Sequence, residues 1–177
     1  MHIAIFGGSF DPPHTGHVAI VKKALEDLDI DLLVIVPTYL NPFKQSFKAP
    51  PKKRLQWLKK IFMYQSRVKI CDFEIRNNRP TYAIETVAYL RKRYKPQKIY
   101  YIIGSDNVSS LHKWHQYRKL SHLVEFVIAT RRGYEAPYKF KRLEVDVPVS
   151  STMLRKHPQK RYLPKQVAWE IIRFYRA

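Results

Sequence analysis

The chain has 177 residues, 45% of them hydrophobic and 27% charged, which suits one packed domain over residues 1–177 and excludes a disordered class. No apolar run approaches the roughly 18 residues of a membrane span, residues 1–17 lack a signal-type start, and the single Cys71 can form neither an internal disulfide nor a zinc cluster, so a cytoplasmic protein is expected. Thirty-three Lys and Arg against 14 Asp and Glu leave a net charge of +19, which implies anionic partners, either a polyphosphate substrate or nucleic acid.

Ile3 to Phe6 form a short apolar run bounded by glycines and read as a parallel strand covered on both faces. Gly7 and Gly8 carry no Cβ, so a sharp turn and a close approach to a ligand are expected there. Ser9 and Phe10 follow, Pro12 and Pro13 stiffen the loop, and Gly16-His17 opens a helix whose first N–H groups attract anions. His14 and His17 stand three apart and face one side if the turn is already helical. From spacing alone, a metal pair or two surface histidines fit as well. Neither a Walker-type P-loop nor a G-x-G-x-x-G turn is present.

The whole string from Gly7 to His17 resembles the signature of the nucleotidyltransferase superfamily, (H/T)-x-G-H after a glycine-rich strand end. Its form is that of bacterial nicotinate-mononucleotide adenylyltransferases. The resemblance implies that Gly7, Gly8, Ser9, Phe10, His14 and His17 surround ATP, with the two histidines catalytic.

Val18, Val21, Leu25 and Leu28 recur at helical spacing, and Leu32 to Val36 is a second buried strand ended by Pro37. The aperiodic stretch from Thr38 to Pro51 is a candidate substrate loop. Within it Asn41-Pro42-Phe43-Lys44 resembles the family's Pro-Pro-His-Lys, which implies that Lys44 meets substrate phosphate, in catalysis and in binding nicotinate mononucleotide together with Ser9; Phe43 replaces the family's usual His. Pro51 to Tyr64 is an amphipathic helix with Leu55, Leu58 and Phe62 on its apolar face, widened by Trp57 and Ile61, and Lys52-Lys53-Arg54 reads as a solvated cluster. Val68 to Ile75 is strand-like, and a polar turn leads to Thr81, placed as the N-cap of a helix carried by Ile84, Val87, Ala88 and Tyr94. The segment around Thr81 and Tyr82 resembles the family stretch that surrounds the pyridine ring; a capped helix without a ligand fits the spacing nearly as well.

Lys98 to Ile103 is a further strand, stopping at Gly104-Ser105-Asp106. In the family a Gly-x-Asp lies here near the adenosine ribose, which implies ATP contacts for Gly104 and Asp106; capping a helix over Val108 to Leu111 would equally explain the Asp. Trp114 falls where the family sets an aromatic against the pyridine, while His112 and His115 read as surface residues. Val124 to Thr130 is a strand followed by the cationic Arg131-Arg132-Gly133, and Leu143 to Val147 alternates as a last strand. Val149-Ser150-Ser151-Thr152-Met153-Leu154-Arg155 resembles the family's Ile-Ser-Ser-Thr-x-Ile-Arg and implies that Ser150, Ser151, Thr152 and Arg155 hold the distal phosphates of ATP, with Arg155 counted as catalytic. A helix from Pro164, with Val167, Ile171, Phe174 and Tyr175, is expected to serve packing only.

Alternating strands and helices give a doubly wound, mainly parallel α/β sheet with its site at the strand carboxyl ends. The resemblance, from residue 2 to about residue 156, makes the fold Rossmann-like and the reaction transfer of the adenylyl group of ATP to nicotinate mononucleotide, with magnesium carried by ATP and no protein-built metal site. Nicotinamide mononucleotide and phosphopantetheine are the rival acceptors, and a basic RNA-binding module without turnover is the rival class, although no nucleic-acid or membrane partner is expected. A homo-oligomer is left open.

Overall fold

The computed structural model describes residues 1–131 and 136–177. Six strands, β1 (His2–Gly8), β2 (Leu32–Pro37), β3 (Val68–Ile70), β4 (Lys98–Gly104), β5 (Glu125–Ala129) and β6 (Lys141–Leu143), form one sheet in the order β3-β2-β1-β4-β5-β6. Every pairing is parallel. The helices are α1 (Thr15–Asp27), α2 (Pro51–Phe62), α3 (Phe73–Arg76), α4 (Ala83–Tyr94), α5 (Tyr117–Leu123), α6 (Ser151–Lys156) and α7 (Ala168–Arg176), with 3₁₀ turns at Ser105–Lys113 and Lys160–Tyr162.

Because both sheet faces are covered, the central strands are apolar at nearly every position rather than at alternate ones. Ala4, Phe6, Leu33, Ile35 and Ile102 belong to one core with residues of α1, α2 and α7, while Ile3, Ile5, Val34, Tyr101 and Ile128 belong to a second core with residues of α4 and α5. From β1 the chain moves to β2 on one side, and β4 joins on the other, so the strand order reverses between β1 and β4. At such a switch point the loops diverge and leave a crevice beyond the strand carboxyl ends.

Several expected boundaries shift for identifiable reasons. The strand-like stretch after Val68 ends at Ile70, and Phe73–Arg76 is helical: Glu74 lies in the first turn, where a carboxylate complements the helix dipole, and Arg76 pairs with Asp72 at 2.9 Å. The last strand lies at Lys141–Leu143, ahead of most of the alternating Leu143 to Val147; beyond it Val145 N–H bonds to the Thr130 hydroxyl at 3.1 Å, which takes that segment out of the ladder and over the crevice. Tyr82, not Thr81, is the N-cap of α4, a shift that brings Glu85 to the third position, where it accepts the Tyr82 N–H at 2.9 Å. Ala88 is exposed, and Thr86 and Leu90 complete the buried face instead. In α2 Leu55 is only partly buried, whereas Arg54, expected in solvent, is buried. The last helix begins at Ala168 rather than at Pro164.

Leu33 is fully buried in β2 beside β1. Leu33→Ala should lower stability by about 2 to 5 kcal/mol, read as a lower urea midpoint at unchanged slope.

Candidate active site

β1 remains paired through Gly8, opposite Pro37, so the turn expected at Gly7-Gly8 comes later, at Phe10, whose φ of 51° is left-handed. A non-glycine residue held there is strained by about 1 to 3 kcal/mol. Its ring offsets that by packing edge-on against Phe6 at 5.4 Å and His17 at 4.8 Å.

α1 opens with two histidines whose rings bond to the backbone of its first turn. His14 Nδ1 accepts the Gly16 N–H at 3.0 Å, and His17 Nδ1 accepts the His14 N–H at 3.1 Å. The rings stack with centroids 3.7 Å apart. Only glycine fits at position 16, because a Cβ there would lie 2.8 Å from His14 Cε1. Burial, reinforced by Arg131, pushes His14 down to about 3; burial, then His14 and Arg131, hold His17 well below the ordinary histidine range. Both rings are therefore neutral at pH 7. Since each Nδ1 is an acceptor, the proton of each neutral ring sits on Nε2. The pair presents two N–H donors without positive charge.

Cations stand opposite. Lys44 Nζ donates to Ser9 Oγ at 3.3 Å, and burial, with Arg155 nearby, holds its ammonium pKa below the usual lysine value. Arg155 donates to the Asp11 carbonyl at 2.8 Å and to Thr152 Oγ1 at 3.1 Å. Ser150 Oγ caps α6 by accepting the Met153 N–H at 3.1 Å, and Ser151 Oγ donates to the Pro12 carbonyl at 2.8 Å, tying α6 to the loop before α1. Asp106 does not cap a helix; its carboxylate takes Arg131 Nη1 at 3.0 Å. Gly104 makes room for that carboxylate, since a Cβ would lie 2.5 Å from Asp106 Oδ1.

Across the crevice, Thr81 is buried and accepts from Asn77 Nδ2 at 3.1 Å. Tyr82 stacks on His115 at 4.2 Å, and Trp114 packs edge-on against Tyr101 at 5.8 Å. Thr81, Tyr82 and Ala83, at the start of α4, line the same cleft as these rings.

All the residues singled out for ATP or acceptor contacts line one cleft of about 640 Å³. Other residues line it too, and four of them bear on its chemistry. His115 is exposed as expected yet forms part of the rim, and Arg131 supplies a further cation. Thr38 lines the cleft with a buried hydroxyl that has no hydrogen-bond partner among the described residues. Glu74 is 4% exposed and takes the Thr86 hydroxyl at 2.7 Å; burial drives its carboxyl up to about 7 against the lowering pull of that hydrogen bond. No spacing rule flags a lone Glu in Phe-Glu-Ile-Arg. Arg132 and Gly133, part of the expected cationic loop, lie outside the described residues.

The sequence profile of the cytidylyltransferase-like family matches residues 5–157. A protein of Nitratiruptor sp. named a probable nicotinate-nucleotide adenylyltransferase is 69% identical over 177 residues, covering 100% of both chains. One of the same name from Aliarcobacter butzleri is 52% identical, covering 97% of this chain and 96% of its own. Among solved structures, the Plasmodium falciparum nicotinic acid mononucleotide adenylyltransferase complexed with NaAD has a TM-score of 0.80 at 22% identity, covering 99% of this chain and 97% of its own, a likeness of fold.

The neutral histidines set a pH dependence. His14 titrates near 3 when folded and near 6.5 when unfolded, so the unfolded chain binds the extra proton and stability is lost as pH falls below 6.5. For this one residue the loss reaches about 2 kcal/mol at pH 5. His14→Asn, which keeps a capping acceptor but cannot ionise, should flatten that acid limb in urea unfolding followed from pH 7 to pH 5.

Proposed function

The chain belongs to the cytidylyltransferase-like family, and on that premise we propose that it is a nicotinate-nucleotide adenylyltransferase, joining nicotinate mononucleotide to ATP to give nicotinate adenine dinucleotide and pyrophosphate. One observation carries the reading: the two uncharged Nε2–H donors of His14 and His17 line one cleft together with the cations Lys44 and Arg155 and the rings of Tyr82 and Trp114. A phosphate-bearing acceptor with an aromatic ring fits one side and a nucleoside triphosphate the other.

The acceptor phosphate is largely a dianion at pH 7, its second pKa lying near 6, so it needs no general base. Its oxygen attacks the α-phosphorus of ATP in line. The new phosphorus–oxygen bond forms as the bond to the β-phosphate oxygen breaks, and that electron pair leaves with pyrophosphate. In this reaction the imidazole donors bond the α-phosphate oxygens as charge redistributes, and their fixed orientation costs no reorganisation. Lys44 meets the acceptor phosphate, and Arg155 with the first turn of α6 grips the departing pyrophosphate. Asp106 offers acceptor oxygens to the ribose hydroxyls. Gly7, Gly8 and Ser9 line the path between the substrates.

On the acceptor side Trp114 and Tyr82 flank the pyridine, and the N–H groups opening α4 favour a carboxylate over an amide through the helix dipole. This orientation supports nicotinate over nicotinamide mononucleotide. Magnesium enters the proposal carried by ATP. Among the described residues no three His, Cys, Asp or Glu side chains gather to hold a cation, and Asp106 is engaged by Arg131, so the residues present suit a metal brought by the phosphates. When bound it neutralises phosphate charge.

Pyrophosphate release from ATP should occur with nicotinate mononucleotide and be far slower with nicotinamide mononucleotide or phosphopantetheine. His17→Ala should lower kcat by roughly 10²- to 10³-fold, while Arg155→Ala should also raise the KM for ATP. Steeply salt-dependent RNA binding with no release from any acceptor would replace this reading by the nucleic-acid alternative.

A further inference from the structure

Asp11, Arg54 and Tyr175 lie behind the wall of the ligand cleft rather than on it. Asp11 is 4% exposed and fully engaged. Its Oδ2 accepts the Lys48 N–H at 2.8 Å, its Oδ1 accepts the Ala49 N–H at 3.0 Å and the hydroxyl of Tyr175, and its carbonyl takes Arg155. Arg54 is 1% exposed, and its guanidinium donates to the carbonyls of Ala49 at 2.9 Å, Ser9 at 2.7 Å, Thr38 at 2.8 Å and Tyr39 at 2.9 Å.

These bonds run between the loop that leads to His14 and the loop that carries Lys44. Among the described residues no backbone ladder joins the two beyond the Thr38 N–H to Gly8 bond at the strand ends. Burying a guanidinium with no carboxylate in direct contact costs several kcal/mol, where an apolar side chain would fill the space at no such cost. Its use here is directional: a planar fork holds several carbonyls in fixed relation. Asp11 supplies the compensating charge nearby, and α7 completes the arrangement. The Tyr175 ring rests against Trp57 and Phe174 with centroids 6.0 and 4.9 Å away, so the hydroxyl reaches Asp11 from a packed base. Burial and the Asp11 carboxylate hold that hydroxyl protonated, as a donor.

We propose that Asp11, Arg54 and Tyr175 are positioning residues that fix the Lys44 loop against the signature loop, and that Tyr175 thereby couples α7 to the phosphate machinery. The inference rests on the adenylyl-transfer reading, in which Lys44 meets phosphate.

The test is a double-mutant cycle on the full chain, measured as pyrophosphate release with nicotinate mononucleotide and ATP. Tyr175→Phe deletes one hydroxyl and keeps the ring. A group displaced by about 1 Å can cost up to 100-fold, so Tyr175→Phe should lower kcat/KM for the acceptor by about tenfold. In a Lys44→Ala background the same change should alter kcat/KM by less than about twofold, because the ammonium that the fixed loop presents to phosphate is then absent. Arg54→Lys, which keeps the charge and loses the fork, should show the same dependence on Lys44 and serves if Tyr175→Phe folds poorly. Equal losses in both backgrounds, or a lowered melting temperature with kcat/KM unchanged, overturn the proposal and leave a purely structural contact. An unmutated chain that releases no pyrophosphate fails the functional reading itself, a result distinct from an active chain indifferent to Tyr175.

Discussion

The arrangement of the cleft depends on one local constraint: two histidines that cap the helix they belong to. Each Nδ1 is taken by a backbone N–H, so the rings cannot turn without uncapping α1, and their protons are fixed on Nε2. The surrounding residues follow from this. Gly16 leaves space for the His14 ring, Phe10 accepts a strained backbone to pack its ring on His17, and the buried loop through Pro12 and Pro13 bonds to Ser151 and so brings α6 to the same place. A helix start that normally offers N–H groups to an anion here offers imidazole N–H groups too, at a position set by the cap.

Charge is the second organising term. Lys44, Arg131 and Arg155 converge on the cleft, and the Asp106 carboxylate that faces them is held by Arg131 at 3.0 Å. Mutual repulsion in a partly buried space is what lowers the histidine and lysine pKa values beyond the effect of burial alone. A cleft lined by these cations favours anionic ligands. The overall charge of +19 adds long-range attraction for anions but does not choose between them.

Legibility in the sequence follows the range of the interactions. The strands at Ile3 and Leu32 could be read because burial on both faces leaves an uninterrupted apolar run, and the signature could be read because glycine, proline and histidine each impose a local geometry. Fold class and the lining of the cleft rest on such local signals. Arg54 was misplaced because a charged residue in a Lys-Lys-Arg run looks solvated; its partners at Ser9, Thr38 and Tyr39 lie on other loops and leave no periodic trace. Tyr175 was read as packing because its ring does pack, and only its hydroxyl carries the contact 164 residues away in sequence. The strand-like reading of Val68 to Ile75 runs past Ile70 because Ile75 continues the apolar tendency, while the helical signals, an acidic first turn and an Asp72–Arg76 pair, are worth only a few tenths of a kcal/mol each.

The strand order explains why the two substrates of the proposed reaction meet where they do. With β1 and β4 adjacent at the reversal, α1 starts from the end of β1 and the Asp106 loop from the end of β4, so the histidines and the Asp106 carboxylate line a single crevice. α4 packs in the core on one face of the sheet and α6 in the core on the other, and the residues that open each, Tyr82 and Ala83 in one and Ser150 to Thr152 in the other, line the cleft. Two helix N-termini thus face the cleft from opposite sides, one suited to a carboxylate on a flat ring and one to a terminal phosphate group. Anything bridging them must carry negative charge at both ends and pass the imidazole N–H groups in between. The proposed adenylyl transfer joins two such charged ends, with the reacting phosphorus beside the imidazole N–H groups that line the same cleft.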